Sequence, residues 1–215
     1  MRLLGIAEAL RLDPGFRPGW IFEGTAFHNP RFARVEHAAV VDGNRVLWDQ
    51  AVIRENPGVI VVPYTTDPLE VGMVEARRPV AGLGASLEFP GGFCRPGEPW
   101  DEAAVREAAE EAGWKLLALT KLGEVNPNPA FYATAPIVCA ALVESWEGRP
   151  DGREVSGLRR VPLDTLLRLV GEGRIASGLT LAAALLFLVK VAVGWFGRVE
   201  IFAGSNLRGM KLPSP

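Results

Sequence analysis

Cysteine and histidine are both scarce in this chain of 215 residues, which carries two of each. Cys94 and Cys139 are too few for a disulfide framework, and Cys139, inside an apolar run, reads as a small buried hydrophobe. His28 and His37 lie near no partner motif and read as polar strand or loop residues, not as catalysts. An excess of one charge is also missing. Lys plus Arg total 23 against 25 for Asp plus Glu, so neither a basic nucleic-acid surface nor an acidic tail is present, and any ligand must be recognised locally. The N-terminus lacks a continuous apolar signal region, because Glu8 and Arg11 break it, and a cytoplasmic chain is expected. No internal repeat or low-complexity tract is visible. The length suits one catalytic domain with an extension.

One apolar run, Gly178 to Phe196, approaches the length of a membrane span and is broken only by Thr180 and Lys190. Lys190 is costly at hydrocarbon depth, and Gly194 before Trp195-Phe196 reads as a helix end. A buried or dimer-packed terminal helix is therefore expected. A true span and a peripheral membrane contact are the alternatives.

What the chain does have is concentrated between Gly91 and Trp114. Pro99 suits the first turn of a helix, Asp101 and Glu102 favour the same end through the helix dipole, and Gly113 supplies a stop. Between them Glu107, Glu110 and Glu111 stand at i, i+3 and i+4, so the three carboxylates share one helix face, with Arg106 beside them. Like charges so placed repel, by a few tenths of a kcal/mol (~0.2–0.5) per pair in an isolated helix. The arrangement becomes favourable when hard divalent cations sit against it, most naturally Mg2+ or Mn2+, and such ions in turn grip phosphate oxygens. The plainer reading is an acidic, solvated surface helix. It leaves the Gly-rich lead-in and the Arg106-Glu107 step without a purpose.

The order Gly92, Glu98, Arg106-Glu107, Glu110-Glu111, Gly113, at these spacings, resembles the Nudix box. Ala108 stands where a larger aliphatic is usual, and Trp114 where the box ends in an aliphatic residue. The resemblance to Nudix hydrolases implies an α/β fold, an α/β/α sandwich with a mixed β-sheet, and metal-dependent hydrolysis of a nucleoside diphosphate linked to another group X. Glu107 and Glu111 are then the first metal ligands, Glu110 the next, and the Gly91 carbonyl completes the set. Arg106 would orient a glutamate through a two-pronged hydrogen bond, and Glu98 would brace the loop or an outer water. Within the family the chain is most like the ADP-ribose pyrophosphatases, in which a proline about sixteen residues past the box marks the substrate class. Pro129 falls there, with Phe131 beside it as a further wall residue. Tyr132 competes with that cue, standing near where dinucleoside-polyphosphate hydrolases carry a tyrosine. The same resemblance makes Glu154, followed by Val155, the candidate general base on a polar loop spanning 146–157, with Glu110 as fallback. A plain surface glutamate is the other reading of Glu154. ADP-ribose or another ADP-sugar is the expected substrate. A GDP-sugar, a dinucleoside polyphosphate, or a catalytically silent nucleotide-sensing domain are the rivals.

The remaining chain frames this stretch. Residues 1–38 carry turn signals at Pro14-Gly15, Pro18-Gly19 and Asn29-Pro30 with Phe16, Trp20, Phe22, Phe27 and Phe32 between them, and read as a β-rich N-terminal arm. It pairs either with a second subunit, making a homodimer, or back on its own domain. Residues 39–197 read as the catalytic domain and 198–215 as a tail. A hairpin is expected around Asp42-Gly43, and buried strands at Gly58–Pro63, Val71–Arg78 and Ile137–Val143. Leu116–Leu122 reads as a strand or short helix. A helix is expected to begin over Val161–Asp164, with Leu163, Leu166, Leu167 and Val170 on one side. Arg77 and Arg78 are candidates for binding a second phosphate or a base, or form a solvated strand end.

Overall fold

A computed structural model of the chain describes residues 1–19, 28–29 and 33–194. Four runs of backbone pair into a small antiparallel sheet: β1 (Arg2–Gly5), β2 (His28–Asn29), β3 (Ala33–Asp42) and β4 (Arg45–Glu55), with β3 between β4 on one side and β1 and β2 on the other. The β3–β4 hairpin closes at Asp42 and Arg45 around Gly43, whose φ of +56° a side chain would strain. A short helix, α1 (Ile6–Leu12), lays Ala9 against Ala39, Val41 and Val46. The sequence reading anticipated only strands in this arm. The expected division after residue 38 falls inside β3, and the small sheet continues to Glu55, because the Asp42-Gly43 turn pairs β4 along the whole of β3. Phe16 packs on this cluster. Trp20, Phe22, Phe27 and Phe32, the tail from 198, and Trp195-Phe196 lie outside the described residues.

The larger sheet has seven strands: β5 (Gly58–Thr66), β6 (Leu69–Arg78), β7 (Leu83–Glu88), β8 (Gly91–Phe93), β9 (Lys115–Glu124), β10 (Ile137–Ser145) and β11 (Val155–Pro162). Its path is β11-β6-β5-β10-β9, with β7 on β6 and β8 on β5. β10 runs parallel to β5 and the other pairings are antiparallel, so the sheet is mixed. Val59 to Val62 are buried in succession, the mark of a strand covered on both faces. Val59 and Val61 meet Ala103 and Ala104 of α2 (Trp100–Ala112), while Ile60 and Val62 join the cluster of Leu166 and Phe187 from α3 (Leu163–Gly171) and α4 (Gly178–Ala192). One helix on one face and two on the other make the expected α/β/α sandwich.

Pro99 is the residue before α2 rather than within its first turn, with an extended ψ of 150°, and Gly113 ends the helix in the left-handed region at φ +68°. The buried face of α2 is all alanine, Ala103, Ala104, Ala108 and Ala112, which lets the helix lie close to the sheet; a larger residue at Ala108 would hold it off. Trp114 fills the space just beyond, edge-on to Trp146 at 5.0 Å, over Gly72, where an added Cβ would come within 2.5 Å of a Trp146 ring atom and 2.6 Å of a Trp114 ring atom.

Leu116–Leu122 is part of a strand, and Val161-Pro162 ends β11 before α3 begins at Leu163. β11 itself was not foreseen. It is an edge strand whose exposed Arg159 and Arg160 reach across to Glu75 and Glu70 of β6, a pattern that reads as loop polarity until the partner strand is known. On α3, Leu163 and Leu166 are buried and Leu167 is exposed. α4 packs Thr180, Ala183, Ala184, Phe187 and Val191 inward and ends at Ala192, two residues before the Gly194 read as its stop, which has a positive φ of +74°. No helix among the described residues is long and apolar enough to cross a membrane.

Candidate active site

The site begins with two glycines that no other residue could replace without movement. β8 runs so close to β5 that a Cβ on Gly91 would lie 2.3 Å from the Val59 carbonyl oxygen. A Cβ on Gly92 would lie 2.5 Å from Oε1 of Glu107. Backbone is thereby brought directly under the carboxylate face of α2. The loop from β8 to α2 is folded on itself by Glu98, whose Oε2 accepts from the Arg95 N–H at 2.7 Å, and by the turn at Gly97, φ +78°.

Arg106 is the hub. All five of its N–H donors find acceptors: Nε and Nη2 hold Glu98 at 2.8 Å each, Nη1 reaches Glu107 at 2.6 Å and Glu110 at 3.1 Å, and Nη2 also donates to the Phe93 carbonyl at 3.0 Å. The two-pronged grip of Arg106, with the Arg95 N–H, holds the Glu98 carboxyl down at about 2. Glu98 is thus a fixed anion bracing the loop. Arg106 holds three glutamates at once, Glu98, Glu107 and Glu110, where one was expected.

Glu111 differs from these. Burial pushes its carboxyl up to about 8, helped by the neighbouring charges of Glu107 and Glu154, against one long contact of 3.4 Å from the Gly91 N–H. Burial raises Glu107 as well, with Arg106 opposing. Both are buried carboxylates, Glu107 balanced only by the Arg106 Nη1 it shares with Glu110, and Glu111 without an ion pair among the described residues. Glu107, Glu111, Gly91, Gly92 and Glu154 line a cleft of about 740 Å³. Among the described residues no three His, Cys, Asp or Glu side chains close into a metal cage. The donors form an open face instead, made of hard oxygens with a charge deficit, which fits a hard divalent cation that keeps other sides for water and phosphate. Glu110 points both oxygens at guanidinium groups, to Arg106 and, at 2.9 Å, to Arg95.

Glu154 reaches the cleft from the loop before β11, with its side chain 72% exposed and Oε2 at 3.9 Å from Arg78 Nη1. Arg77 and Arg78, neighbours in sequence, divide their work. Arg77 Nη1 donates to the carbonyls of Gly152 and Arg153 at 2.9 and 2.7 Å, and its N–H to the Glu154 carbonyl at 2.8 Å, so it holds the loop. Arg78 is held by the buried Glu88, Nη2 to Oε2 at 2.9 Å, and lines a second pocket of about 330 Å³ that shares Gly91, Gly92 and Phe93 with the cleft. The far wall of this pocket is Pro127, Tyr132 and Pro136, with Leu179 and Thr180 from the start of α4. Pro129 and Phe131 lie exposed outside that lining. Sequence reasoning missed Glu88, although it lies in the lead-in Leu87-Glu-Phe-Pro-Gly-Gly, and missed Arg95. His37 is far from this chemistry in role, its Nε2 paired with Asp49 at 2.7 Å in the small sheet.

Three comparisons bear on this geometry. A protein of Bacillus subtilis (strain 168) named "Putative 8-oxo-dGTP diphosphatase" is 35% identical over 74 residues, which is 34% of this chain; the chain spans about half (48%) of that relative's length. A solved structure titled "Crystal structure of ADP compounds hydrolase" matches 86% of this chain and 99% of its own at 24% identity and a TM-score of 0.62, a likeness of fold. The family model for the NUDIX domain matches residues 54–180, most of the chain and the whole of the cleft. With its box residues converging on one cleft, the chain belongs to the Nudix family.

Proposed function

We propose that the chain hydrolyses the pyrophosphate bond of a nucleoside diphosphate linked to X, with ADP-ribose or another ADP-sugar as the first substrate and AMP plus a sugar phosphate as products. The observation that carries this is the cleft over Gly91-Gly92, where the half-buried carboxylates of Glu107 and Glu111 face the same space while Arg106 and Glu98 hold the frame. Mg2+ or Mn2+ held by Glu107, Glu111 and the Gly91 carbonyl would neutralise phosphate charge and acidify a water. Arg106 keeps Glu107 in one orientation, and Glu154, exposed at the cleft, would take a proton from that water. Glu110, engaged by two arginines, serves the frame better than it serves as base.

The ADP preference rests on the resemblance to ADP-ribose pyrophosphatases and on the ADP compounds in the structural neighbour's title. Tyr132 in the pocket wall, with Pro129 outside it, favours a second reading, a dinucleoside polyphosphate. Incubating the protein and Mg2+ with ADP-ribose, diadenosine polyphosphates, GDP-mannose and 8-oxo-dGTP, and identifying the products, separates these. Release of AMP and ribose 5-phosphate fastest from ADP-ribose supports the first reading; faster cleavage of diadenosine polyphosphate moves the weight to Tyr132. Full turnover in excess chelator removes the metal from the scheme. A homodimer in the cytoplasm belongs to the same proposal, motivated by Leu185, Val189 and Val193, exposed along the outer side of α4. Light scattering should give twice the 23.2 kDa chain mass, and a 23.2 kDa species at micromolar concentration would overturn it.

A further inference from the structure

A phosphate group entering this carboxylate-lined cleft needs positive charge besides that of any bound cation, yet most of the arginine donors there are already engaged. Arg106 has every donor occupied. Arg78 has Nε and Nη2 on Glu88, and it faces the second pocket. Arg95 is different. It lines the cleft beside Arg106, its side chain is 64% exposed, and among the described residues its guanidinium makes one hydrogen bond, Nη2 to Glu110 at 2.9 Å. A guanidinium has five N–H donors in a fork that matches phosphate oxygens. The partner it does have, Glu110, is held independently by Arg106 at 3.1 Å and needs no second cation to keep its place. Exposed ion pairs of this kind are weak, so exchanging Glu110 for a phosphate costs little.

Arg95 lines the cleft and Arg78 the second pocket, and the two spaces adjoin. Gly91, Gly92 and Phe93 line both the cleft that contains Arg95 and the pocket that contains Arg78. A diphosphate lying over that shared floor would have one guanidinium in each of the two spaces. We propose that Arg95 binds a phosphate oxygen of the substrate, exchanging Glu110 for it, and that Arg78 attends the part of the molecule in the second pocket. This rests on the reading that the cleft takes a diphosphate, and it adds a residue to which the box resemblance assigns no role.

The test measures binding, not turnover. Calorimetry with α,β-methylene-ADP and Mg2+, a diphosphate the enzyme cannot split, should show Arg95→Ala weakened about ten- to a hundredfold, with Arg95→Lys between it and the wild type. Mn2+ binding without nucleotide, read from the ion's electron paramagnetic resonance signal, should be kept within about twofold, because Arg106 still holds Glu110. If Arg95 only positions Glu110, the opposite pattern appears: Mn2+ binding falls and the analogue is bound as well as before at saturating metal. That result, an Arg95→Ala affinity within about twofold of wild type, or no binding of the analogue by the wild type, overturns the proposal. A wild type that binds the analogue through Arg95 but cleaves no diphosphate compound leaves this inference standing while the proposed reaction fails.

Discussion

Gly91 and Gly92 are adjacent, both lack positive φ, and yet their alanine variants should fail in different ways. At Gly91 the added Cβ meets backbone, the Val59 carbonyl oxygen at 2.3 Å and the Ile60 Cα at 3.1 Å, so β8 must part from β5. Overpacking of this kind costs about 1–3 kcal/mol, which for a chain of this size lowers Tm by about 2–12 °C. At Gly92 the Cβ meets the Glu107 carboxylate, Oε1 at 2.5 Å, Cδ at 2.7 Å and Oε2 at 2.8 Å. The end of a side chain can move where backbone cannot. Gly92→Ala should therefore melt within about 1 kcal/mol of wild type, and the loss of unfolded-state freedom even favours it. Glu107, however, would be pushed by the better part of an ångström and its 2.6 Å contact with Arg106 disturbed, a displacement that costs about a hundredfold in rate. Thermal melts by circular dichroism paired with turnover of the best diphosphate substrate read both quantities. A Gly92→Ala enzyme within about threefold of the wild-type rate would refute the placement of Glu107 at the reacting centre, and an unchanged Tm for Gly91→Ala would refute the close approach of β8 to β5.

Glu111 gives stability a pH dependence of known sign. A carboxyl raised on folding stabilises fully below its unfolded value and loses that contribution as pH rises through its folded one, so in chelator Tm should fall between pH 4.5 and about 8. Divalent cation should reduce the fall, and an equal fall in Glu111→Gln would refute Glu111 as its source. Glu154→Gln should lose about 10² to 10⁴ in kcat with metal affinity little changed, and a loss below about threefold would make Glu154 an ordinary loop residue. Arg77→Ala, by releasing the Gly152 and Arg153 carbonyls, should lower kcat about tenfold, whereas Arg78→Ala should raise KM; Arg77→Ala acting on KM alone would place that side chain on the substrate.

The helix that carries the site could be read from sequence because its geometry is local: Glu107, Glu110 and Glu111 share a face by spacing alone, and Gly113 ends the helix as expected. The central strands were equally legible, since Val59–Val62 must be covered on both sides. What spacing cannot carry is pairing between distant segments. Glu88 becomes Arg78's partner only when β7 is laid on β6, and β11 becomes a strand only when Glu70 and Glu75 stand opposite its arginines. The wall of the second pocket shows the same limit at short range. Asn126 donates to the Tyr132 carbonyl at 2.8 Å and Asn128 accepts from the Ala130 N–H at 3.0 Å, and these turns aim Pro127 and Tyr132 inward in place of Pro129 and Phe131.

The loop that brings Glu154 to the cleft passes so near the end of α2 that a Cβ on Gly148 would fall 1.9 Å from the Ala112 carbonyl oxygen. Main chain touches main chain there, one residue past Glu111 and six before Glu154. The span between the two acids is therefore set as by a ruler with one end pinned, and side-chain repacking cannot lengthen it. Insertions on the far side of the pin, around Gly152, would disturb the hold of Arg77 on the Gly152 and Arg153 carbonyls and shift Glu154 while Glu111 stays. Insertions before the pin, between Trp146 and Gly148, would pull the loop off the helix and so separate Glu154 from Glu111, which stays on α2. A family member with a different substrate length could thus be reached by changing the few residues between Gly148 and Glu154, leaving α2 and its carboxylates where they are.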